Sequence, residues 1–182
     1  MKTAYYTSLS KIKAYREQRD LQKEFIYNNS DYLPELVKIA CNYNDKTHQK
    51  ALWIIELICE EHIELFTEYV AEFCAILKQY KKESSQRPAS RICKFLATSK
   101  KIKLKLQEQE QIIEATLDWF IATDKSAIFN YCAEALFALG KEHNWVLIEL
   151  QSFLEKDIAQ SATPGYIYTI KDLLRKLNKN SK

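Results

Sequence analysis

The sequence predicts an all-α fold, a right-handed superhelix of about four helix pairs behind an N-terminal capping helix. Three observations carry this. Glycine and proline number only 2 and 3 in 182 residues, against usual shares of roughly 7% and 5%. That scarcity removes the tight turns of an all-β fold or a doubly wound sheet, and it leaves no glycine-rich phosphate loop. Apolar residues also recur at the helical spacing i, i+3, i+4, i+7 through nearly the whole chain. Finally, the helix-start residues Asp45, Ser84, Asp124 and Thr163 return about every 40 residues, each opening the second helix of a pair. One pair cannot bury its apolar stripe alone, so neighbouring pairs must stack.

The elements follow in order. Leu21, Phe25 and Ile26 suggest the capping helix, and fraying is expected over residues 1–14. Leu33, Leu36, Val37 and Ala40 form one stripe, with Pro34 in the first turn and Ser30 or Asp31 as cap. After the turn-prone Asn42-Tyr43-Asn44, Asp45 caps a helix carrying Ala51, Ile54, Ile55 and Ile58. Phe66, Val70, Phe73 and Leu77 repeat the spacing, and Ser84-Ser85 precede Ala89, Ile92, Cys93 and Leu96. Beyond a basic joint, Ile113, Leu117 and Phe120 are followed by Asp124 and a helix with Ile128, Cys132, Ala135, Leu136 and Leu139, Gly140 in its last turn. Leu147, Leu150, Leu154 and Ile158 lead to Thr163-Pro164, a strong helix start, and then to Ile167, Ile170, Leu174 and Leu177. These elements divide a single domain, residues 1–182, into repeats at about 30–60, 63–98, 107–142 and 145–178.

With 47% hydrophobic and 28% charged residues, the chain is neither disordered nor a membrane spanner. The segment Met1 to Leu9 has no apolar signal region, and the longest apolar run, Leu52 to Cys59, is broken by Glu56. Cys41, Cys59, Cys74, Cys93 and Cys132 are odd in number, sit in apolar helical patterns and form no CxxC pair. Buried, reduced thiols in a cytoplasmic protein are the expectation. A net charge of +3 is mildly basic, short of a dedicated nucleic-acid binder.

The stretch Asp45-Lys46-Thr47-His48-Gln49-Lys50-Ala51-Leu52-Trp53-Ile54-Ile55-Glu56 resembles the second helix of a HEAT repeat, and so does Gln86-Arg87-Pro88-Ala89-Ser90-Arg91-Ile92. The resemblance covers roughly residues 30–177 and implies a HEAT-like (armadillo-type) helical repeat protein of bacterial type. It departs from the standard repeat at Lys100 to Lys105, a longer basic joint expected to be a solvated loop. Such arrays serve many unrelated roles, so the resemblance speaks for fold more than function.

Candidate chemistry is sparse. His48, His62 and His143 lie near helix ends, and no second His follows His62 at i+4, so no metal site and no cofactor are expected. Trp53, Trp119 and Trp145 read first as packing residues. A second resemblance, to HEAT-like DNA alkylation-repair glycosylases, rests on Asp118-Trp119 with Asp124, but adjacent helical residues point apart and Asp124 is better read as a cap. An adenylosuccinate lyase reading fails on its loop motif, since Ser84-Ser85 leads into Gln86-Arg87-Pro88 and the only Met is Met1. No nucleophile–base–orienter set or carboxylate pair is visible, so the expectation is a protein without enzymatic activity. The remaining candidate is a basic stripe of Lys46, Lys50, Arg87, Arg91, Lys94, Lys125, Lys171 and Arg175, assigned to the second helices that line the concave face of such an array. A protein-interaction scaffold is therefore expected, taking an acidic protein surface in its concave face. The alternative is a nucleic-acid-binding or repair-type HEAT-like protein, and no membrane partner is expected.

Overall fold

A computed structural model describes residues 3–158 and 171–175, and among them every regular element is helical. The helices are α1 (Ala4–Lys11), α2 (Arg16–Asn28), α3 (Leu33–Cys41), α4 (His48–His62), α5 (Val70–Ile76), α6 (Glu83–Thr98), α7 (Leu106–Ala122), α8 (Ser126–Leu139) and α9 (Asn144–Ile158). Residues 171–175 are also helical, with Leu173 buried. The Thr163-Pro164 helix start and the apolar positions 167, 170 and 177 lie outside the described residues.

The helices form two rows. In one, α2, α4, α6 and α8 pack side by side, and in the other α3, α5 and α7 do so, with α3 against α4, α7 against α8 and α9 against α8. Sequence periodicity explains which faces meet. Leu36, Val37 and Ala40 of α3, and Ala51, Ile54, Ile55 and Ile58 of α4, are all essentially inaccessible to solvent. So are Phe66, Val70, Phe73 and Leu77, although the backbone there runs through 3-10 turns at Ile63–Tyr69 and Leu77–Gln79 on either side of the short α5. Two tighter windings shift the residues by a fraction of a turn, and the stripe survives because its i+3 and i+4 steps suit both helix types. One apolar cluster runs from Tyr5 to Leu173.

Several boundaries differ from the sequence expectation. Helix α4 starts at His48 rather than just after Asp45, whose carboxylate accepts the Thr47 N–H at 2.7 Å and the Tyr6 hydroxyl at 2.7 Å in the turn ahead of the helix. Helix α6 starts at Glu83, placing Ser84 inside its first turn, and α8 starts at Ser126, after Thr123 Oγ1 has accepted the Lys125 N–H at 3.1 Å. Ser30 and Asp31 form a 3-10 turn of their own and do not cap α3, whose second residue is Pro34.

Where fraying is expected over residues 1–14, the structure has helix α1. Thr3 caps it by accepting the Tyr6 N–H at 3.0 Å, and Tyr5, Leu9 and Ile12 are buried. In α2, Ile26 is buried but Leu21 is 63% exposed, so Leu21 takes no part in the cap. The basic joint is also more ordered than a solvated loop. Ile102 and Leu104 turn into the core while Lys101, Lys103 and Lys105 face outward, and Lys101 Nζ lies 2.9 Å from Glu64.

Gly140 closes α8 with ordinary helical angles, so its role is space, not backbone freedom. A Cβ there would lie 2.3 Å from Leu147 Cδ2 and 2.9 Å from the Leu136 carbonyl oxygen. Gly140→Ala is expected to cost about 1–3 kcal/mol by forcing α9 away from α8. Urea denaturation checks this, and a variant as stable as the parent would show that Leu147 moves aside freely.

Candidate functional site

The basic stripe resolves into residues in very different surroundings. Lys46 and Lys125 lie in the turns just before α4 and α8, not within those helices. Lys50 donates to the Ser10 carbonyl at 2.5 Å and so fastens α4 to the end of α1. Arg87 and Lys171 are exposed. Lys125 sits 3.1 Å from Asp124 and 3.8 Å from Glu83, and the Asp124 hydrogen bond with its charge raises the Lys125 pKa. Arg175 pairs with Asp172 at 2.6 Å.

Two of the eight are brought together on the face of α4, α6 and α8. The Arg91 guanidinium donates to Glu56 Oε1 at 2.9 Å and also bonds Glu60. Its Cζ lies 5.1 Å from the Phe95 ring and 5.8 Å from Tyr131. Lys94 pairs with Glu134 at 2.8 Å and lies 5.6 Å from the same Tyr131 ring. Across three helices the order is acid, base, aromatic, base, acid. Burial alone lowers the Arg91 pKa, yet the Glu56 hydrogen bond and the fields of Glu56 and Glu60 outweigh it, leaving the guanidinium firmly charged. Glu56 is 1% exposed, and its Oε2 has no hydrogen-bond partner. This face is balanced internally, and its cations are already engaged.

Cations without an ion-pair partner among the described residues lie instead at the end where α4 and α6 begin. Lys46, Lys81 and Lys82 border a pocket of about 170 Å³ with Asn44, Gln79 and Tyr80, and its remaining walls are Tyr43, Asp45, His48 and Ser85. Among the described residues none of these three lysines has an acidic partner, whereas Arg91, Lys94, Lys125 and Arg175 each have one. Lys81 and Lys82, in the turn before α6, are not part of the stripe, whose cations near α6 are Arg87, Arg91 and Lys94. The uncapped first turn of α6 adds its own positive end to the field there.

The tryptophans separate. Trp119 is buried and Trp53 packs against the core, but Trp145 is 52% exposed beside Ile121 and Ile148. Trp145 lines a groove of about 340 Å³ between α7 and α9 with Leu117, Phe120 and Phe153. Asp118 is exposed and Asp124 pairs with Lys125, so neither faces Trp119 to form an acid–aromatic site.

The thiols are set in apolar surroundings. Cys59, Cys74, Cys93 and Cys132 are buried, and burial pushes the Cys74 thiol up to about 12. Cys41, half-buried, is raised to about 12 by burial and then by Glu72. All five cysteines are unbridged, and no group of three metal-ligating side chains occurs among the described residues. His62 pairs with Glu64, and His143 Nε2 lies 2.6 Å from Gln109 Oε1. Within the described residues, no helix is long and apolar enough to cross a membrane. No family model, curated protein or solved structure matches the chain.

Proposed function

We propose that the protein is an interaction module, a short HEAT-like array of helix pairs that binds an acidic protein surface at the end where α4 and α6 begin. The two-row order of helices supports the HEAT-like reading, since each row joins helices of successive pairs. One observation carries the binding site: Lys46, Lys81 and Lys82 converge on one pocket with no ion-pair partner among the described residues, beside a face whose other cations are spent on Glu56, Glu60 and Glu134. Unpaired lysines at a rim attract and orient a partner of opposite charge. Nucleic acid is the weaker reading, because strong binding needs several cations facing phosphates and Arg91 and Lys94 already hold carboxylates.

The test uses a fluorescent oligoglutamate peptide and anisotropy at low and raised salt. Binding is expected at low salt, weakening by tenfold or more in the exposed double variant Lys81→Glu/Lys82→Glu, and unchanged in Lys125→Glu. A single-stranded oligonucleotide that binds more tightly than the peptide, with the same variant sensitivity, would move the assignment to nucleic acid. Indifference to the double variant would remove the site.

A further inference from the structure

The same pocket holds a hydroxyl and an imidazole for which the binding of an acidic surface has no use. His48 is the first residue of α4, Ser85 lies in the first turn of α6, and the fold joins them across 37 positions. His48 Nε2 lies 2.6 Å from Ser85 Oγ, and Nδ1 lies 2.5 Å from the Asp45 backbone carbonyl. A carbonyl oxygen only accepts, so Nδ1 carries the ring proton and, in the neutral imidazole, Nε2 presents its lone pair to the Ser85 hydroxyl. The Tyr80 ring stacks on the imidazole with centroids 5.7 Å apart and planes 7° from parallel. Tyr80 is itself held by donating to the Ala40 carbonyl at 2.9 Å. Hydroxyl, base and orienting group thus stand in the order that activates a nucleophile. Ser85 is 1% exposed and lines the same pocket as Lys46, Lys81 and Lys82, which have no ion-pair partner among the described residues.

From this arrangement we infer that Ser85 is a nucleophile toward small esters bearing a negatively charged group, with His48 as its general base. Oγ forms a bond to the ester carbonyl carbon as its proton passes to His48 Nε2. The tetrahedral adduct then collapses, the bond to the alcohol oxygen breaks, and the alcohol leaves with the proton from Nε2. Water repeats the sequence on acyl-Ser85, releasing the carboxylic acid and restoring the hydroxyl and neutral imidazole. Only ester and water are consumed. A pocket of about 170 Å³ admits a short acyl chain, and the lysines set the preference for an anionic one. The inference stands on the Ser85–His48 geometry and not on the binding of an acidic surface.

The chain of residues 1–182 is given mono-p-nitrophenyl succinate, and p-nitrophenol release is followed. Wild type is expected to release it on the order of 100-fold faster than Ser85→Ala or His48→Gln, and faster than it releases p-nitrophenol from the uncharged acetate. Equal rates for wild type and Ser85→Ala overturn the inference. If Ser85→Ala fails to fold, a phosphonofluoridate on the wild-type protein decides: an adduct on the fragment carrying Ser85 supports the inference, and no adduct or one elsewhere overturns it. Oligoglutamate binding is measured on the same proteins. An inert ester with intact peptide binding refutes only the nucleophile, and acylated Ser85 without peptide binding refutes only the docking surface.

Discussion

Replacing Arg91 with methionine is expected to destabilise the fold by about 3–5 kcal/mol, the usual cost of leaving a buried charge without its partner. Glu56 lies in the middle of α4, 1% exposed, and one of its oxygens already lacks a hydrogen bond. Removing the guanidinium strips the other oxygen as well, and with it the contacts Arg91 makes over Phe95 and Tyr131. The reverse single change, Glu56→Leu, is milder, because Arg91 keeps Glu60 and 22% of its side chain meets solvent. The double variant Glu56→Leu/Arg91→Met is expected to recover most of the loss, since neither charge is then buried alone. Urea melts of the four proteins give the coupling directly. A drop below about 1 kcal/mol for Arg91→Met, the range of surface pairs, would mean that Glu56 finds water or another partner.

Phe120→Ala is the second large effect, expected at about 3–5 kcal/mol. The Phe120 ring, 1% exposed in α7, stacks on Phe129 of α8 at 4.4 Å and meets Phe153 of α9 at 5.0 Å. One side chain therefore closes the junction of three helices, and its removal leaves a cavity that none of them can fill without moving the others. The neighbouring Ile121 is 59% exposed, so Ile121→Ala is expected to change stability by no more than about 0.5 kcal/mol. Chemical denaturation of the two variants separates the cases. Similar losses at both positions would show that the exposed Ile121 is covered in solution.

The helices were legible because burial on one face imposes a period, and that period is written locally. Ala51, Ile54, Ile55 and Ile58 declare the buried face of α4 without help from any other segment, and the structure buries all four. Starts were harder to read. Asp45 looks like a cap, but its carboxylate answers to Tyr6 from 39 positions away, which no local pattern encodes. The partners of the charged face are equally non-local. Arg91 belongs to a basic stripe when α6 is read alone, and it becomes half of a balanced pair only when α4 supplies Glu56 from 35 positions away. Lys81 and Lys82 gained significance only when the turn before α6 was placed beside the turn before α4. His48 and Ser85, unremarkable in separate segments, meet for that reason too.

The fastening of α1 has a kinetic consequence. Its eight residues are too few to persist as an isolated helix in water, and its ties run from Tyr6 to Asp45 and Thr47 and from Ser10 to Lys50, spans of 39 to 41 positions. Such a segment gains only part of its contacts, those of Tyr5 with Phe25 and Tyr32 among them, until the turn before α4 exists to receive the rest, because that longer loop must close before its contacts reward it. It therefore docks late and reopens early. Amide hydrogen exchange within residues 4–11 becomes a clock for the opening of the turn at residues 42–47, so any partner that grips Lys46 slows exchange in a helix it never touches.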